Sequence, residues 1–157
     1  NADRGGFWLN IVDTSSGNAD LARQAPGLRL LGRIARGAGS PLGSGDPVAA
    51  WQQAIGAGQQ QAQQIYAIFA GMGQRIGGWT GITPILQTGS MAAKINAAAL
   101  AGRRGETILA SLVAFGGDRL GQTDPASLAA GIGGLTAVGL AKEASQIALE
   151  AGVLICL

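Results

Sequence analysis

The sequence predicts an all-α fold, an elongated set of helical hairpins forming a bundle of about four helices behind an irregular N-terminal arm. Three observations carry that prediction. Glycine and alanine dominate, with 27 Gly and 29 Ala among 157 residues, whereas aromatics make up only 4%. Alanine is the strongest helix former, and the glycines lack the Gly-X-Y period of a collagen. Three dipeptides, Asp46-Pro47, Thr83-Pro84 and Asp124-Pro125, each set an N-capping side chain before a proline, at separations of 37 and 41 residues. Proline is preorganised for the first helical position, so each pair reads as a helix start. Downstream of Asp46, apolar residues then recur every three or four positions, the helical period.

Residues 1–45 read as the arm. Phe7-Trp8-Leu9-Asn10-Ile11-Val12 is a short strand or an extended apolar anchor, and Asp13 to Asn18 has turn chemistry. Asp20 to Ala38 reads as a short basic amphipathic helix interrupted at Pro26-Gly27. The stretch from Gly37 to Gly45 (GAGSPLGSG) is a flexible linker. Residues 46–157 form the Ala/Gly-rich helical domain.

The first helix of that domain is expected from Asp46 to Ile76, closed by Gly77-Gly78. Val48, Trp51, Ile55, Gly58, Ala62, Ile65, Phe69, Met72 and Ile76 form a heptad seam along it. A helix of roughly 28 residues at 1.5 Å rise would be about 42 Å long. Its other face carries Gln52, Gln53, Gln59, Gln60, Gln61, Gln63, Gln64 and Gln74, with no charge between Pro47 and Gln74. Amides both donate and accept hydrogen bonds, so such a face suits another protein surface, a wet channel or plain solvent.

A second helix is expected from Pro84 to Ala101, with Ile85, Leu86, Met91, Ile95 and Leu100 on its apolar side. Gly102 ends it, and a third helix follows from Glu106 through Ile108, Leu109, Leu112, Val113 and Phe115 to Gly116-Gly117. The fourth starts at Pro125 and carries Leu128, Ile132, Leu135, Leu140, Ile147, Ala151 and Leu154. Its Gly133-Gly134 pair predicts a kink.

Charge is scarce and uneven. Charged residues make up 13% of the chain, about half the share usual in a globular domain. Residues 1–45 carry five arginines against three aspartates, and residues 46–157 carry six charges of each sign. Three tracts hold none: Pro47 to Gln74, Ile76 to Ala93 and Ala126 to Ala141. Surfaces this poor in charge call for burial by partners or lipid. No tract offers the ~20 predominantly apolar residues of a lone membrane span.

The inventory for catalysis is thin. There is no His, so a Ser-His-Asp site is excluded and a metal site lacks its commonest ligands. Glu143 and Glu150 share a helix face but read as solvated. Cys156 lies in an apolar tail, where nothing lowers a thiol pKa. Gly37 to Gly43 lacks the Gly-Lys-Ser/Thr ending of a phosphate loop. No cofactor, metal or catalytic residue is assigned.

Two sets of candidate residues remain. Arg29, Arg33 and Arg36 lie at i, i+4 and i+7, and Arg103-Arg104 add a second basic spot. Together they are candidates for anions or lipid headgroups, although an ordinary solvated face also looks like this. The helix-packing candidates are Trp51, Ile55, Ile65, Phe69, Met72, Gly73, Gly77, Gly131 and Gly134. Glycines four apart, as at Gly73 and Gly77, let helices approach closely or mark helix ends.

The low-charge hairpin of residues 84–120, with its Gly102-Arg103-Arg104-Gly105 tip, resembles in pattern the helical hairpins of conjugative pilins and type IV secretion components. That resemblance carries no specific motif. It implies a non-enzymatic structural subunit that assembles with itself into a filament, ring or channel of the cell envelope or an extracellular assembly. Further copies of the chain, phospholipid and nucleic acid are the candidate partners. The alternatives are a helical virion component, either coat or ejection protein, and a helical accessory subunit of an enzyme.

Overall fold

The computed structural model describes residues 19–37, 46–74 and 89–156. These residues are all-helical and contain no strand. There are seven α-helices among them rather than about four: α1 (Ala19–Arg36), α2 (Pro47–Ile55), α3 (Gln59–Gly71), α4 (Met91–Leu100), α5 (Arg104–Phe115), α6 (Pro125–Ala137) and α7 (Ala141–Cys156). A 3₁₀ segment, Gly117–Gln122, joins α5 to α6. The Phe7–Val12 segment, the linker residues 38–45, Gly77-Gly78 and the Thr83-Pro84 helix start lie outside the described residues.

Two of the proline signals operate as their chemistry requires. The Asp46 carboxylate accepts from the Val48 and Ala49 amides at 2.9 and 3.1 Å, and Asp124 accepts from the Ser127 amide at 2.9 Å. Each satisfies donors that a helix start leaves without partners. The Asp46 carboxylate also accepts from the Tyr66 hydroxyl, which ties the start of α2 to the middle of α3.

The long helix expected from Asp46 is two helices. Gly56 adopts the left-handed conformation (φ +68°), and the Ala57 amide donates back to the Gln52 carbonyl. Glycine takes that conformation without a Cβ penalty, so α2 ends there and α3 restarts after Gly58. The seam is therefore broken. Trp51, Ile65, Phe69 and Met72 are buried, but Ile55 is 41% exposed. The α3 helix ends at Gly71 and Gly73 has φ +72°, so Gly73 belongs to a turn. The expected kink at Gly133-Gly134 is also absent. The chain turns instead at Gly139 (φ +85°), where the Leu140 amide bonds to the Leu135 carbonyl.

α1 runs unbroken through Pro26 and does not form a free arm. Its Leu30, Leu31 and Ile34 are buried in the main core beside Val48, Trp51, Ala148 and Ala151. Close approach of α1 to α7 depends on small residues. A Cβ on Gly152 would lie 2.8 Å from Ile34, and one on Gly27 would lie 3.1 Å from the Cys156 carbonyl oxygen.

The centre of the bundle is α6, packed against α3, α4, α5 and α7. Leu128, Ala130, Gly131, Ile132, Gly134 and Leu135 are all buried. A helix apolar on every side is a core helix. The uncharged tract from Ala126 to Leu135 thus finds its cover within the same chain, whereas Thr136, Ala137, Gly139 and Ala141 beyond it are exposed.

Candidate assembly surface

Local sequence builds the α4–α5 hairpin. The Ser90 hydroxyl caps α4 by accepting from the Ala93 amide at 3.2 Å. After Gly102, α5 starts at Arg104, two residues earlier than expected. The tip is held by Arg103, whose Nε lies 2.6 Å from a Glu106 carboxylate oxygen. Both side chains are about half exposed, so the pair contributes little stability.

α5 is turned inside out. Its fully buried positions include Thr107 and Ser111, both at 0% exposure. Three of its four large aliphatic residues face outward, Leu109 at 67% exposure, Leu112 at 57% and Val113 at 65%, whereas Ile108 packs against the main core. The cause lies on α6. A Cβ on Gly131 would stand 2.4 Å from the Phe115 ring, and one on Gly134 would stand 2.8 Å from Ile95 and 3.3 Å from the Thr107 methyl. Glycines on one helix and small hydroxyl residues on the other bring the two backbones together. Thr107 returns its hydroxyl hydrogen to the Arg103 carbonyl at 3.0 Å, whereas Ser111 Oγ has no partner. The leucines that would have filled a wider gap are left on the outside.

The outer face of α5 carries no charge after Glu106. Leu100, at the end of α4, extends the apolar surface and is 90% exposed. Ile55, Val153 and Leu154 are the other large apolar residues exposed among the described residues. No described helix is long and apolar enough to cross a membrane.

The candidate residues read from sequence fall into separate places. Gly131 and Gly134 pack as expected, but against Phe115 and Ile95 of the same chain. Arg29 and Arg36 are exposed on α1. Arg33, on the same helix, is only partly exposed, with Nη1 enclosed and lacking a hydrogen-bond acceptor. Arg103 and Arg104 are exposed at the hairpin tip. Gly77 lies outside the described residues. Sequence reasoning took Leu100, Leu109, Leu112 and Val113 as ordinary apolar helix sides. The signal available was Thr107 and Ser111 on another side of the helix, both buried, with Thr107 set against Gly134.

The glutamines divide as well. Gln64 is buried and donates from one amide to both the Gly121 and Thr123 carbonyls, at 3.0 and 2.9 Å, fastening the 3₁₀ segment to α3. Gln74 is also buried and donates to the Gly37 carbonyl at the end of α1. Gln59, Gln60 and Gln63 remain outside and line an open cleft of about 570 Å³ with Gln122, Asp124 and Pro125.

Neither shifted titratable group is an activated one. Burial pushes the Cys156 thiol up to about 12, and burial together with the Asp46 hydrogen bond raises the Tyr66 hydroxyl above its ordinary value. Both changes favour the protonated, less nucleophilic form. Among the described residues, no group of three His, Cys, Asp or Glu side chains is placed to hold a metal ion.

Comparison with protein-family models, curated proteins and solved structures finds no match to this chain.

Proposed function

We propose that this chain is a non-enzymatic structural subunit that assembles with copies of itself through low-charge helical surfaces, as a filament, ring or channel. The observation that carries this reading is the outer face of α5. Leu109, Leu112 and Val113 are each more than half exposed there, although the described residues bury an apolar core elsewhere.

The magnitudes favour repeated contacts over a single strong one. Fully burying such a side chain is worth roughly 1.5–3 kcal/mol, so six of them, each a little over half exposed, offer roughly 6–11 kcal/mol to a pair of copies. Association itself costs about 4–15 kcal/mol. One α5 face therefore gives weak pairing, and an assembly with many copies multiplies it. A protein with no His, whose one thiol is buried, fits such a role better than it fits catalysis.

Leu100 favours a lipid-associated form of the same reading. It stands almost fully exposed beside Arg103 and Arg104, and an apolar tip flanked by cations suits an anionic membrane surface.

Sedimentation velocity over a wide concentration range in detergent-free buffer, with negative-stain microscopy, tests the proposal. Association that deepens with concentration is expected. A monomer at every concentration refutes it. Flotation on vesicles, lost in Arg103→Glu/Arg104→Glu, would establish the lipid-associated form.

A further inference from the structure

We infer that the outer face of α5 is a two-fold interface, in which α5 packs antiparallel against α5 of a second copy with Leu109 set beside Leu112. The inference rests on the self-assembly reading and adds to it the geometry of the contact.

The first support is a spacing. Gly105, Leu109, Leu112 and Gly116 follow one another at intervals of four, three and four residues. At about 100° per residue Gly105, Leu109 and Leu112 fall within an arc of about 60° on α5, and Gly116 is the left-handed cap that follows its last turn. All four are exposed. The pattern reads the same in both directions. Turning a second helix end for end therefore sets Gly105 against Gly116 and Leu109 against Leu112, and the reverse pairs form at the same time. A two-fold contact requires a patch that is complementary to itself in this way.

The glycines supply the second support. A Cβ at Gly105 would meet nothing within 4 Å, so that end of the stripe is open to a neighbouring helix. At the other end Gly116 is the left-handed cap, where a Cβ would stand 3.7 Å from the Arg119 Cβ, so the helices approach most closely at Gly105 and interlock at the two leucines.

Charge decides the direction. A parallel pairing would set Arg104 against Arg104 and Glu106 against Glu106. In the antiparallel register Arg104 comes level with Gly117 and Glu106 with Phe115, so no like charges are opposed. Antiparallel helices also set opposite dipole ends together.

The stripe is small. A standard stable interface engages about 20–30 residues on each side, and α5 contributes three on its axis, followed by the Gly116 cap, with Val113 and Leu100 beside them. The pair is therefore expected to dissociate on the order of micromolar concentrations, with residence set by the wider assembly.

The test uses two full-length variants, Leu109→Cys and Leu112→Cys, each carrying Cys156→Ala so that one thiol remains. They are mixed in equal amounts, oxidised with copper phenanthroline, and the disulfide-linked dimers are mapped by mass spectrometry. The mixed 109–112 disulfide is expected to exceed either like-with-like disulfide about tenfold, against twofold for random pairing. Leu112→Lys in the wild-type background is expected to weaken association at least tenfold by sedimentation, with helicity unchanged by circular dichroism.

Random or like-with-like disulfides in a protein that associates would overturn the antiparallel geometry while leaving self-assembly intact. So would association that Leu112→Lys does not alter. A wild-type chain that stays monomeric, or that floats on phosphatidylglycerol vesicles as a monomer, would overturn both the geometry and the assembly reading.

Discussion

Replacing Gly131 with alanine should destabilise the protein, although the residue lies in the interior of a helix. The argument sets two terms of opposite sign against each other. Alanine in place of glycine favours a helix by about 0.8–1.0 kcal/mol. The added methyl, however, would stand 2.4 and 2.5 Å from two carbons of the Phe115 ring, whose side chain is 5% exposed. Forcing extra volume into a filled core costs about 1–3 kcal/mol, so the net loss is about 0–2 kcal/mol. Gly133 is the internal control. It lies in the same helix, and a Cβ there would meet the Gly71 carbonyl oxygen at 3.5 Å, an ordinary contact. Gly133→Ala should therefore stabilise by up to about 1 kcal/mol. Urea unfolding followed by far-ultraviolet circular dichroism measures both, provided the m-value is unchanged. The two variants should differ by about 1–3 kcal/mol, with Gly131→Ala the weaker. Phe115→Leu should recover part of the loss in the Gly131→Ala background, because the residues touch. If Gly131→Ala equals or exceeds Gly133→Ala in stability, the close approach of α5 to α6 is not what fixes the inside-out arrangement of α5.

Other expectations follow from single contacts. Gln64→Leu leaves the Gly121 and Thr123 carbonyls without their shared donor and should lower stability by about 2–4 kcal/mol in the same urea assay. Asp46→Ala removes the cap of α2 and the acceptor of Tyr66, and should cost about 1–2 kcal/mol. The Cys156 thiol is raised from 9.0 to about 12 in the folded chain, so its contribution is complete below pH 9 and is lost as the pH rises towards 12. Thermal unfolding midpoints should fall across that window in the wild type and fall less in Cys156→Ala. Iodoacetamide should label the native thiol much more slowly than the urea-unfolded one.

The sequence disclosed helix starts far better than helix partners. Asp46 and Asp124 cap where expected, because capping is chemistry between neighbouring residues. Gly116 also ends α5 as read, with φ +65°. What escaped was whether a glycine turns the chain or admits a neighbour. Gly56 and Gly139 turn it, whereas Gly131 and Gly134 admit Phe115 and Ile95. The difference lies in residues far away along the chain, which no local pattern contains. Gly58 misled most, since it occupied a heptad position and made two helices look like one.

The same limit applies to the candidate surface. The apolar character of Leu109, Leu112 and Val113 was legible, but their outward direction was not. Direction followed from the buried side of α5, where Thr107 fits against Gly134 and Phe115 against Gly131 of α6. The charge-free tract from residue 126 suggests outside partners, yet α3, α4, α5 and α7 cover it as far as Leu135. Among the described residues, the most exposed large apolar side chains lie on α5 and at the tip of α4.

The central position of α6 also sets an order of events during synthesis. The helices α3, α4 and α5 all precede it in the chain, so each is made before the helix it surrounds. At about 5–20 residues per second, the residues between the end of α5 and the end of α6 take roughly one to four seconds to emerge. For that time the small-residue face of the new hairpin is uncovered, and its exposed leucine face is uncovered with it. The core of the bundle therefore closes only when α6 emerges, after the helices that surround it on three sides.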